Sequence, residues 1–532
     1  MARRIAKPKR SRKNAAAAPP VFDVDLPSKK DLKKWLKTGP IWLGVFLAFL
    51  LGLASGYRPI WDMDFHWHIA AGRYDMTHGL DPAKDPFTYL PIVRSADIGF
   101  RTIDRALAEV ERWGGLGLVR SLFAVTAGLI YAQAFRLGAT RSQSLGGGAL
   151  LLGVVAAASA DRLRHRPDVL AIFFFLVLLE LLERKPSTVT IFLHFGLTAL
   201  WSRIHPSAAL APALALVALP GPSPAGRFGH LLGALGGLML FPGGPVFYLK
   251  LLEDTAAVAP LIPEWRALWE LDPKGYLDLA DYFGLWMLVL LAGVLYLWGW
   301  PVGKGKPGPG ATAGSLFVGG IMLIASAWSI RLFYGLAAPV AFAVARRASS
   351  FKASKTLVLA ALILGGLLVA AFPMRRQVVF FERCREAGLS LFSSDLYEPN
   401  FPTGAVRFLK QNALKGRLFH PPQWGGYLAS ELVARYRVAH DGRTSLWGRK
   451  LGAELLRFNE AKTRASLIER FGIEILVVAP GSIPETEQAG VGGVDSAERR
   501  WLRVFDDGIS QVFVDRLGAN WSTNQAVLRS SR

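Results

Sequence analysis

Eleven mostly apolar runs fill most of the chain between residues 40 and 372, and they constrain its fold more than any other feature. A helix crosses the hydrocarbon core of a bilayer with roughly 20 apolar residues, because every backbone N–H and C=O must find a partner within lipid. The composition agrees, since 52% of the residues are hydrophobic and only 19% are charged, which excludes a disordered basic protein. The sequence therefore predicts an α-helical polytopic membrane domain with about eleven transmembrane helices, at residues 40–57, 116–137, 145–160, 169–182, 189–202, 208–219, 228–241, 283–300, 311–328, 332–345 and 356–372.

Positive charge is concentrated at the N-terminus. The formal net charge is +22, and residues 1–37 contain 12 basic and three acidic side chains. Lys and Arg in short connections favour the cytoplasmic side of a membrane, and with this tail inside the even-numbered turns are basic as well. We therefore predict a multi-pass protein with a cytoplasmic N-terminus, a first external loop at 58–115 and a later external loop at 242–282.

Charge and cysteine content also bear on partners and cofactors. Nucleic acid would be attracted to the basic tail, but cytoplasmic retention and attraction to anionic lipid explain its charge more simply. We therefore expect membrane lipids as partners and no nucleic acid. The single cysteine, Cys384, excludes an internal disulfide framework, a Cys-rich zinc site and an iron–sulfur cluster.

After Pro373 the apolar runs end and the pattern becomes that of a soluble domain. Short β-branched runs predict strands at 417–420, 437–439, 473–479 and 509–514. Amphipathic stretches predict helices at 403–412, 423–436 and 450–470. The expected organisation is a basic, disordered cytoplasmic tail at 1–38, a transmembrane domain at 39–373 and an extracytoplasmic α/β domain at 374–532.

Two carboxylates and two imidazoles lie within seven residues near the start of the first external loop, at Asp62, Asp64, His66 and His68. In an extended segment Asp62 and Asp64 point the same way, and in a helix His68 shares a face with Asp64. Either geometry suits a general base for an attacking hydroxyl, or a divalent cation held by Asp62, Asp64 and His68. The alternative is that one aspartate caps the helix beginning here and that the aromatic and His side chains form an interfacial belt.

Positive charge on the predicted external side is the second candidate feature. The short turn at 161–168 contains Arg162, Arg164, His165 and Arg166. Guanidinium groups suit bidentate capture of phosphate, and external turns normally avoid positive charge. A phosphate site is therefore one interpretation, and an anchor to lipid headgroups is the other.

Further charged or polar groups occur on the same predicted side, at Arg203, His205, Glu264 and Arg331. A lone cation at a helix end is more often a snorkelling anchor than a ligand. Their shared side with the two motifs above favours substrate binding. The later external loop that contains Glu264 has two interpretations, an amphipathic lid on the membrane and a plain connecting helix.

These loops resemble those of a known group. The first loop contains Asp64-x-x-Trp67-His68-x-Ala70-x-Gly72-Arg73 followed by Asp85-Pro86-Phe87-Thr88-Tyr89. This pattern resembles the opening loop of a large group of uncharacterised bacterial multispanning membrane proteins that are related to the GT-C glycosyltransferase superfamily. Later blocks of the group are similar to Arg166-Pro167, 203–205, 241–244, Glu264-Trp265, 424–428 and 441–444. The resemblance covers most of the chain from about residue 40 onward.

The resemblance implies a GT-C-type membrane domain followed by a soluble α/β domain. It also implies transfer of a sugar from a polyprenyl-phosphate donor to an acceptor on the extracytoplasmic side, with inversion, at the bacterial cytoplasmic (inner) membrane. Asp64 is preferred to Asp62 as the base because it occupies the Asp-x-x-Trp-His position. His66 replaces the aromatic residue expected before Trp67, which leaves open whether the loop also binds a metal. The implied partners are a lipid-linked sugar donor and an unknown glycan, lipid or protein acceptor.

Two functions follow from these observations. The first is a membrane hexosyl- or pentosyltransferase in which Arg166, Arg203 or Arg331 binds the donor phosphate and Asp64 activates the acceptor. The second is a non-catalytic component of surface polysaccharide export or assembly that binds a lipid-linked glycan. A transporter is disfavoured because the conspicuous polar residues cluster at one membrane face rather than at mid-membrane.

Overall fold

The computed structural model describes residues 29–60, 62–79, 81, 84–92, 100–219, 223–241, 243–244, 246–249, 253, 262–271, 279–300, 312–386, 401–489 and 500–530. The described residues from Ile41 onward form one compact unit, and those from Lys29 to Pro40 belong to a separate one. The predicted tail lies outside the described residues up to residue 28, and a helix begins at Lys29. About half of the predicted loop at 242–282 also lies outside them.

Helices make up nearly all of the described chain before residue 387. Their bounds are Lys29–Gly56, Met63–His78, Arg101–Ser142, Leu145–Ser159, Asp168–Glu183, Thr188–Ser202, Leu210–Val217, Pro224–Met239, Leu279–Gly299, Ala313–Trp328, Ala337–Arg346, Ala348–Ala353, Lys355–Val369 and Arg375–Glu386.

Several of these helices have the length and composition of membrane spans. Within the described residues, four helices are long and apolar enough to cross a membrane, at Thr38–Gly56, Arg101–Ser142, Tyr282–Gly299 and Lys355–Val379. Four shorter apolar helices lie at Leu145–Ser159, Thr188–Ser202, Pro206–Val217 and Ala313–Trp328. A helical membrane domain is thus supported, although these eight helices are fewer than the eleven predicted crossings.

The helix Arg101–Ser142 breaks where the first external loop was predicted to end. Gly114 and Gly115 leave the helical region, and Gly115 has a φ of 64°, which glycine adopts without steric cost. Before the break, Arg101 donates a hydrogen bond to the buried Asp75 over 2.8 Å and so ties this segment to the helix Met63–His78. The described part of the loop is mostly helical, at Met63–His78 and from Arg101 onward.

The predicted end of the membrane domain at Pro373 lies inside a continuous helical stretch. Lys355–Val369 passes through a π-helical turn at Ala370–Met374 into Arg375–Glu386. Proline lacks a backbone N–H, and a π-turn accommodates the missing hydrogen bond. Just beyond the turn, Gln377 accepts a hydrogen bond from Arg58 Nε over 3.0 Å.

Residues 401–530 contain a five-stranded mixed sheet in the order β1-β2-β5-β4-β3. The strands are β1 (Arg417–Phe419), β2 (Ile473–Val478), β3 (Gln488–Ala489), β4 (Trp501–Asp506) and β5 (Gln511–Asp515). β1 is parallel to β2, β3 is parallel to β4, and β5 is antiparallel to both β2 and β4. The accompanying helices are Thr403–Gln411, Pro422–Leu432, Gly448–Leu456, Ala461–Phe471 and Trp521–Ser530. The α/β character predicted for this region agrees with these elements.

One predicted strand and one predicted helix differ from the structure. Residues 437–439 do not join the sheet, because Val438 instead forms a parallel bridge with Thr88 of the first external loop. The Val438 N–H donates to Phe87 C=O over 2.8 Å. The predicted helix 450–470 is two helices, and Arg464 Nη1 closes the turn between them by donating to Asn459 C=O over 3.0 Å.

The first external loop completes the core of the C-terminal domain. Trp67 and Phe87 of the loop belong to a buried apolar cluster that also contains Leu428, Val477 and Val514. Because loop and domain share one apolar core, they are expected to fold together.

A buried ion pair reinforces this junction. Arg443 Nη2 lies 2.9 Å from Asp85 Oδ2 and 2.6 Å from Asp441 Oδ2, and all three residues are buried. The guanidinium also lies 5.3 Å from the ring centre of Trp67. Two chain segments more than 350 positions apart thus share one cation.

We predict that Arg443→Met destabilises the protein, because it leaves Asp85 and Asp441 buried without their cation. Removing one partner of a buried ion pair costs roughly 3–5 kcal/mol. The measurement is the midpoint of thermal unfolding of the purified full-length protein. The control is Arg503→Met, whose ion pair with Asp506 is exposed and contributes at most about 1 kcal/mol. Equal midpoints for the two variants would contradict a structural role of the buried pair.

Candidate active site

The helix Met63–His78 begins at a carboxylate cap. Asp62 Oδ1 accepts a hydrogen bond from the Asp64 N–H over 2.9 Å, so Asp62 is the N-cap residue. Capping was the structural alternative for one of the two aspartates. Asp62 is 1% exposed, whereas the Asp64 side chain is 18% exposed and faces a cavity. The two carboxylates therefore have different surroundings although they are two positions apart.

Arg166 joins both carboxylates. Its Nε donates to Asp62 Oδ1 over 2.7 Å, and its Nη2 donates to Asp64 Oδ2. The turn that contains Arg166 is itself held by a hydrogen bond from Arg164 Nε to Asp161 C=O, over 2.5 Å. The predicted arginine turn and the predicted acidic pair are thus in direct contact.

Three further arginines surround Glu264. Arg162 Nη1 lies 3.0 Å from Glu264 Oε2, Arg164 Nη1 lies 3.6 Å from Oε1, and Arg331 Nη1 lies 3.9 Å from Oε2. The Arg331 guanidinium lies over the Trp265 ring, 4.7 Å from its centre. The turn at 161–168 and the segment that contains Arg331, which are distant in sequence, therefore converge on one carboxylate of the loop 242–282.

Burial and neighbouring charges give the two cavity acids different protonation behaviour. Burial raises the pKa of Asp64 to about 6, although Arg166 acts in the opposite direction. Burial alone would also raise the pKa of Glu264, but Arg162, Arg331 and Arg164 hold that pKa well below its usual value. At neutral pH Glu264 is a fixed anion, whereas Asp64 is near the range in which a general base works best.

A cavity of about 540 Å³ opens between the external loops and the C-terminal domain. Its charged lining residues from the loops are Asp64, Arg164, Arg166, Glu264 and Arg331. The opposite wall comes from the C-terminal domain and includes Phe419, Gln423, Asp441, Gly442, Phe458 and Asn459. Five of the sequence-predicted site residues therefore meet in one cavity of small-ligand size.

The predicted histidines lie behind this cavity rather than in its wall. His68 Nδ1 lies 2.6 Å from Asp104 Oδ1, and the His68 ring stacks on Trp67. Burial lowers the pKa values of His66 and His165 to about 3, so both rings are neutral at pH 7. The His66 ring packs against Tyr427 and the His165 ring against Phe123, and both side chains are buried within the protein.

Arg162, Arg203 and His205 also lie outside the cavity lining. Arg162 contacts the Glu264 carboxylate but does not line the cavity itself. Arg203 Nη2 donates to Leu240 C=O over 2.5 Å and thereby joins two helix ends. His205 Nδ1 accepts from the Ser207 N–H over 3.1 Å, and burial lowers the pKa of His205 to about 4. The contacts of Arg203 and His205 are those of helix-end anchors and caps.

The acidic pair is only partly suited to a metal ion. Among the described residues, no three His, Cys, Asp or Glu side chains come together around a common position. Asp62 Oδ2 and Asp64 Oδ1 accept no hydrogen bond from the described part of the chain, and carboxylate oxygens suit hard cations such as Mg²⁺. His68 does not fit a shared site, because its Nδ1 is next to Asp104. Two carboxylates, not three ligands, are therefore available to a cation.

Gly442 is a site residue that the sequence did not single out. A Cβ atom at this position would overlap Asp64 Oδ1, so only glycine lets the C-terminal domain approach the carboxylate. The turn is set by Asp441, whose Oδ1 accepts from the Arg443 N–H over 2.9 Å. The sequence signal is the Asp441-Gly442 dipeptide directly after the predicted strand 437–439, a pattern typical of a turn.

Comparison with known proteins identifies the fold but no family. No protein-family model matches the sequence. No curated protein matches it either. The chain is similar in structure to the Archaeoglobus fulgidus oligosaccharyltransferase tethered with an acceptor peptide containing the NVT sequon, with a TM-score of 0.54 and 9% identity over 84% of this chain and 69% of that chain.

A second similar structure is the archaeal oligosaccharyltransferase AglB from Archaeoglobus fulgidus in complex with an inhibitory peptide and a dolichol-phosphate. Its TM-score is 0.51 at 11% identity, over 84% of this chain and 70% of that chain. At such identities the likeness concerns the fold alone. It supports the GT-C-like membrane fold that the sequence resemblance implied.

Proposed function

We propose that the protein is a membrane glycosyltransferase that moves a sugar from a polyprenyl-phosphate-linked donor to an acceptor on the extracytoplasmic side, with inversion. The observation that supports this most is the single cavity shared by a carboxylate with a raised pKa, Asp64, and by Arg164, Arg166 and Arg331. A base and a cluster of guanidinium groups are what a sugar transfer from a lipid phosphate requires.

Each cavity group has a role in this reaction. Asp64 accepts the proton of the acceptor group as that group attacks the anomeric carbon of the donor sugar. The bond between this carbon and the phosphate oxygen breaks, and Arg164 and Arg331 stabilise the negative charge that the departing lipid phosphate gains. A single displacement of this kind inverts the anomeric configuration. Asp62 positions Asp64 through the helix cap and Arg166.

The similar solved structures support a lipid-linked donor in general. One of them contains a dolichol-phosphate, and the other is tethered with an acceptor peptide. For this chain we propose a lipid phosphate as the donor carrier, and a glycan, lipid or protein as the acceptor. A divalent cation held by Asp62 and Asp64 would supply additional positive charge near the leaving phosphate.

We also propose that the chain crosses the bacterial cytoplasmic membrane eleven times, with the cavity and the C-terminal domain on the outer side. The basic tail and the basic even-numbered turns support this orientation. The cavity lies at the external ends of the proposed helices, where a lipid headgroup would reach it.

The topology predicts opposite locations for two reporter fusions. A fusion after Arg347 follows ten proposed crossings and should stay cytoplasmic, whereas a fusion after Phe392 follows eleven and should be exported. Alkaline phosphatase activity, which requires export, measures both. Export of both fusions would contradict the topology.

The role of Asp64 predicts a loss of transfer in Asp64→Asn. A positioned base contributes typically ~10²–10⁴ in rate, and asparagine keeps the shape of aspartate but cannot accept the proton. Product formed per inserted molecule is the measurement, with Asp62→Asn as the matched control, because asparagine is nearly as good a helix cap. Full activity of a well-folded Asp64→Asn protein would remove Asp64 as the base. If the wild type binds the lipid-linked glycan donor but shows no turnover, the alternative function is favoured, a non-catalytic component of surface polysaccharide export or assembly.

The raised pKa of Asp64 predicts the pH dependence of kcat/KM. A base must be deprotonated to act, so activity should be full above pH 7 and should fall as the pH decreases through about 6. At pH 5 the rate should be roughly a tenth of its plateau value, because about nine-tenths of Asp64 is then protonated. The residual activity of Asp64→Asn should lack this acidic limb, and an unchanged limb in the variant would assign it to another group.

A further inference from the structure

We propose that the Glu264 carboxylate occupies the position that the donor phosphate takes on binding, and that it leaves this position when a lipid phosphodiester binds. This inference rests on the proposed function. It differs from the role assigned to Glu264 by sequence, which was direct binding of substrate.

The contacts of Glu264 are those of an anion in an arginine site. Three guanidinium groups, from Arg162, Arg164 and Arg331, lie within 4 Å of its two carboxylate oxygens. Carboxylate and phosphate present the same pair of acceptor oxygens to the arginine fork. Arg164 and Arg331, which the proposed reaction needs for phosphate, therefore already lie 3.6 and 3.9 Å from an anionic group, and Arg162 donates a hydrogen bond to the same carboxylate.

The charges around the cavity favour replacement of the Glu264 carboxylate by the phosphodiester over binding of both anions together. Arg166 is bound to Asp62 and Asp64, Arg164 also lies 3.7 Å from Asp62, and Arg162 also lies 3.8 Å from Asp168, so these acids and Glu264 share one arginine cluster. Glu264 differs from them because three arginines share it. A phosphodiester has one negative charge, as Glu264 has, so replacement of one by the other keeps the charge balance. Both anions on the same arginines would repel each other.

The backbone contacts of this segment do not depend on the carboxylate. The Ser329 hydroxyl donates to Glu264 C=O over 3.2 Å, and Trp265 keeps its stacking contact with Arg331. The Glu264 side chain is 13% exposed and faces the cavity of about 540 Å³. A rotation of the side chain alone would therefore vacate the arginines while the segment Pro263–Trp265 stays in place.

The consequence is selectivity for a lipid-linked phosphodiester. Displacing Glu264 costs the three ion pairs, and a free phosphate ester recovers only these. A polyprenyl tail adds apolar contacts in the membrane, and this gain offsets the cost. The Glu264 carboxylate thus compensates part of the positive charge of the arginines and competes with free anions for them until a lipid donor binds.

The test is calorimetric titration of the full-length protein in zwitterionic nanodiscs. The probes are farnesyl methyl phosphate, a singly charged phosphodiester with a polyprenyl tail, and dimethyl phosphate, which has the same headgroup without the tail. Removing the competing carboxylate in Glu264→Gln should strengthen farnesyl methyl phosphate binding by about fivefold or more. Asp168→Asn removes an equal charge beside Arg162 and should change the affinity less than about twofold. Arg331→Gln should weaken binding by about fivefold or more.

The remaining outcomes separate this inference from the proposed function. Unchanged or weaker binding in Glu264→Gln, with weaker binding in Arg331→Gln, would overturn the exchange and leave the phosphate site intact. An equal gain in Glu264→Gln and Asp168→Asn would also overturn it, because charge removal alone would then explain the gain. No effect of Arg331→Gln would instead contradict the phosphate site of the proposed function. Equal affinity of the wild type for both probes would rule out selection of a lipid-linked donor.

Discussion

The contact of Arg166 with Asp62 and Asp64 is the interaction on which the site depends. It joins the turn between the helices Leu145–Ser159 and Asp168–Glu183 to the first turn of the helix Met63–His78. Without it, two carboxylates would lie side by side in a buried place, which is strongly unfavourable. With it, Asp62 is fixed as a cap, and Asp64 keeps one oxygen free of hydrogen bonds from the described residues. The contacts of Arg166 therefore determine both the geometry of the acidic pair and the position of the arginine turn.

The C-terminal domain is part of the site. Its turn at Asp441 and Gly442 closes the cavity opposite Asp64, and Gly442 approaches the carboxylate too closely for any side chain. Arg443 fixes this turn to the first external loop through Asp85. The domain thus positions the wall against which an acceptor would lie. This explains why residues of two distant blocks, near 85 and near 441, have complementary charge.

The sequence predicted the individual helices, strands and loops better than the tertiary contacts between them. Apolar runs and basic turns follow local rules, so the helical membrane region, the acidic loop and the arginine turn could be predicted. The shared core of Trp67 and Phe87 with the C-terminal domain could not, because a strand pattern such as 437–439 does not reveal which segment it pairs with. For the same reason the lone Glu264 and Arg331 gave no sign that they meet. The histidines suggested chemistry by residue type, yet their surroundings keep them neutral.

The proposed function requires that Asp64 and the arginines form one binding site for a lipid phosphate. A cryo-electron microscopy structure of the protein in nanodiscs containing a polyprenyl phosphate tests this claim most directly. We expect phosphate density in contact with Arg164 and Arg331, on the cavity side of Asp64, with the Glu264 carboxylate turned away. Headgroup density elsewhere, for example beside Arg203, with Glu264 still bound to its three arginines, would contradict it.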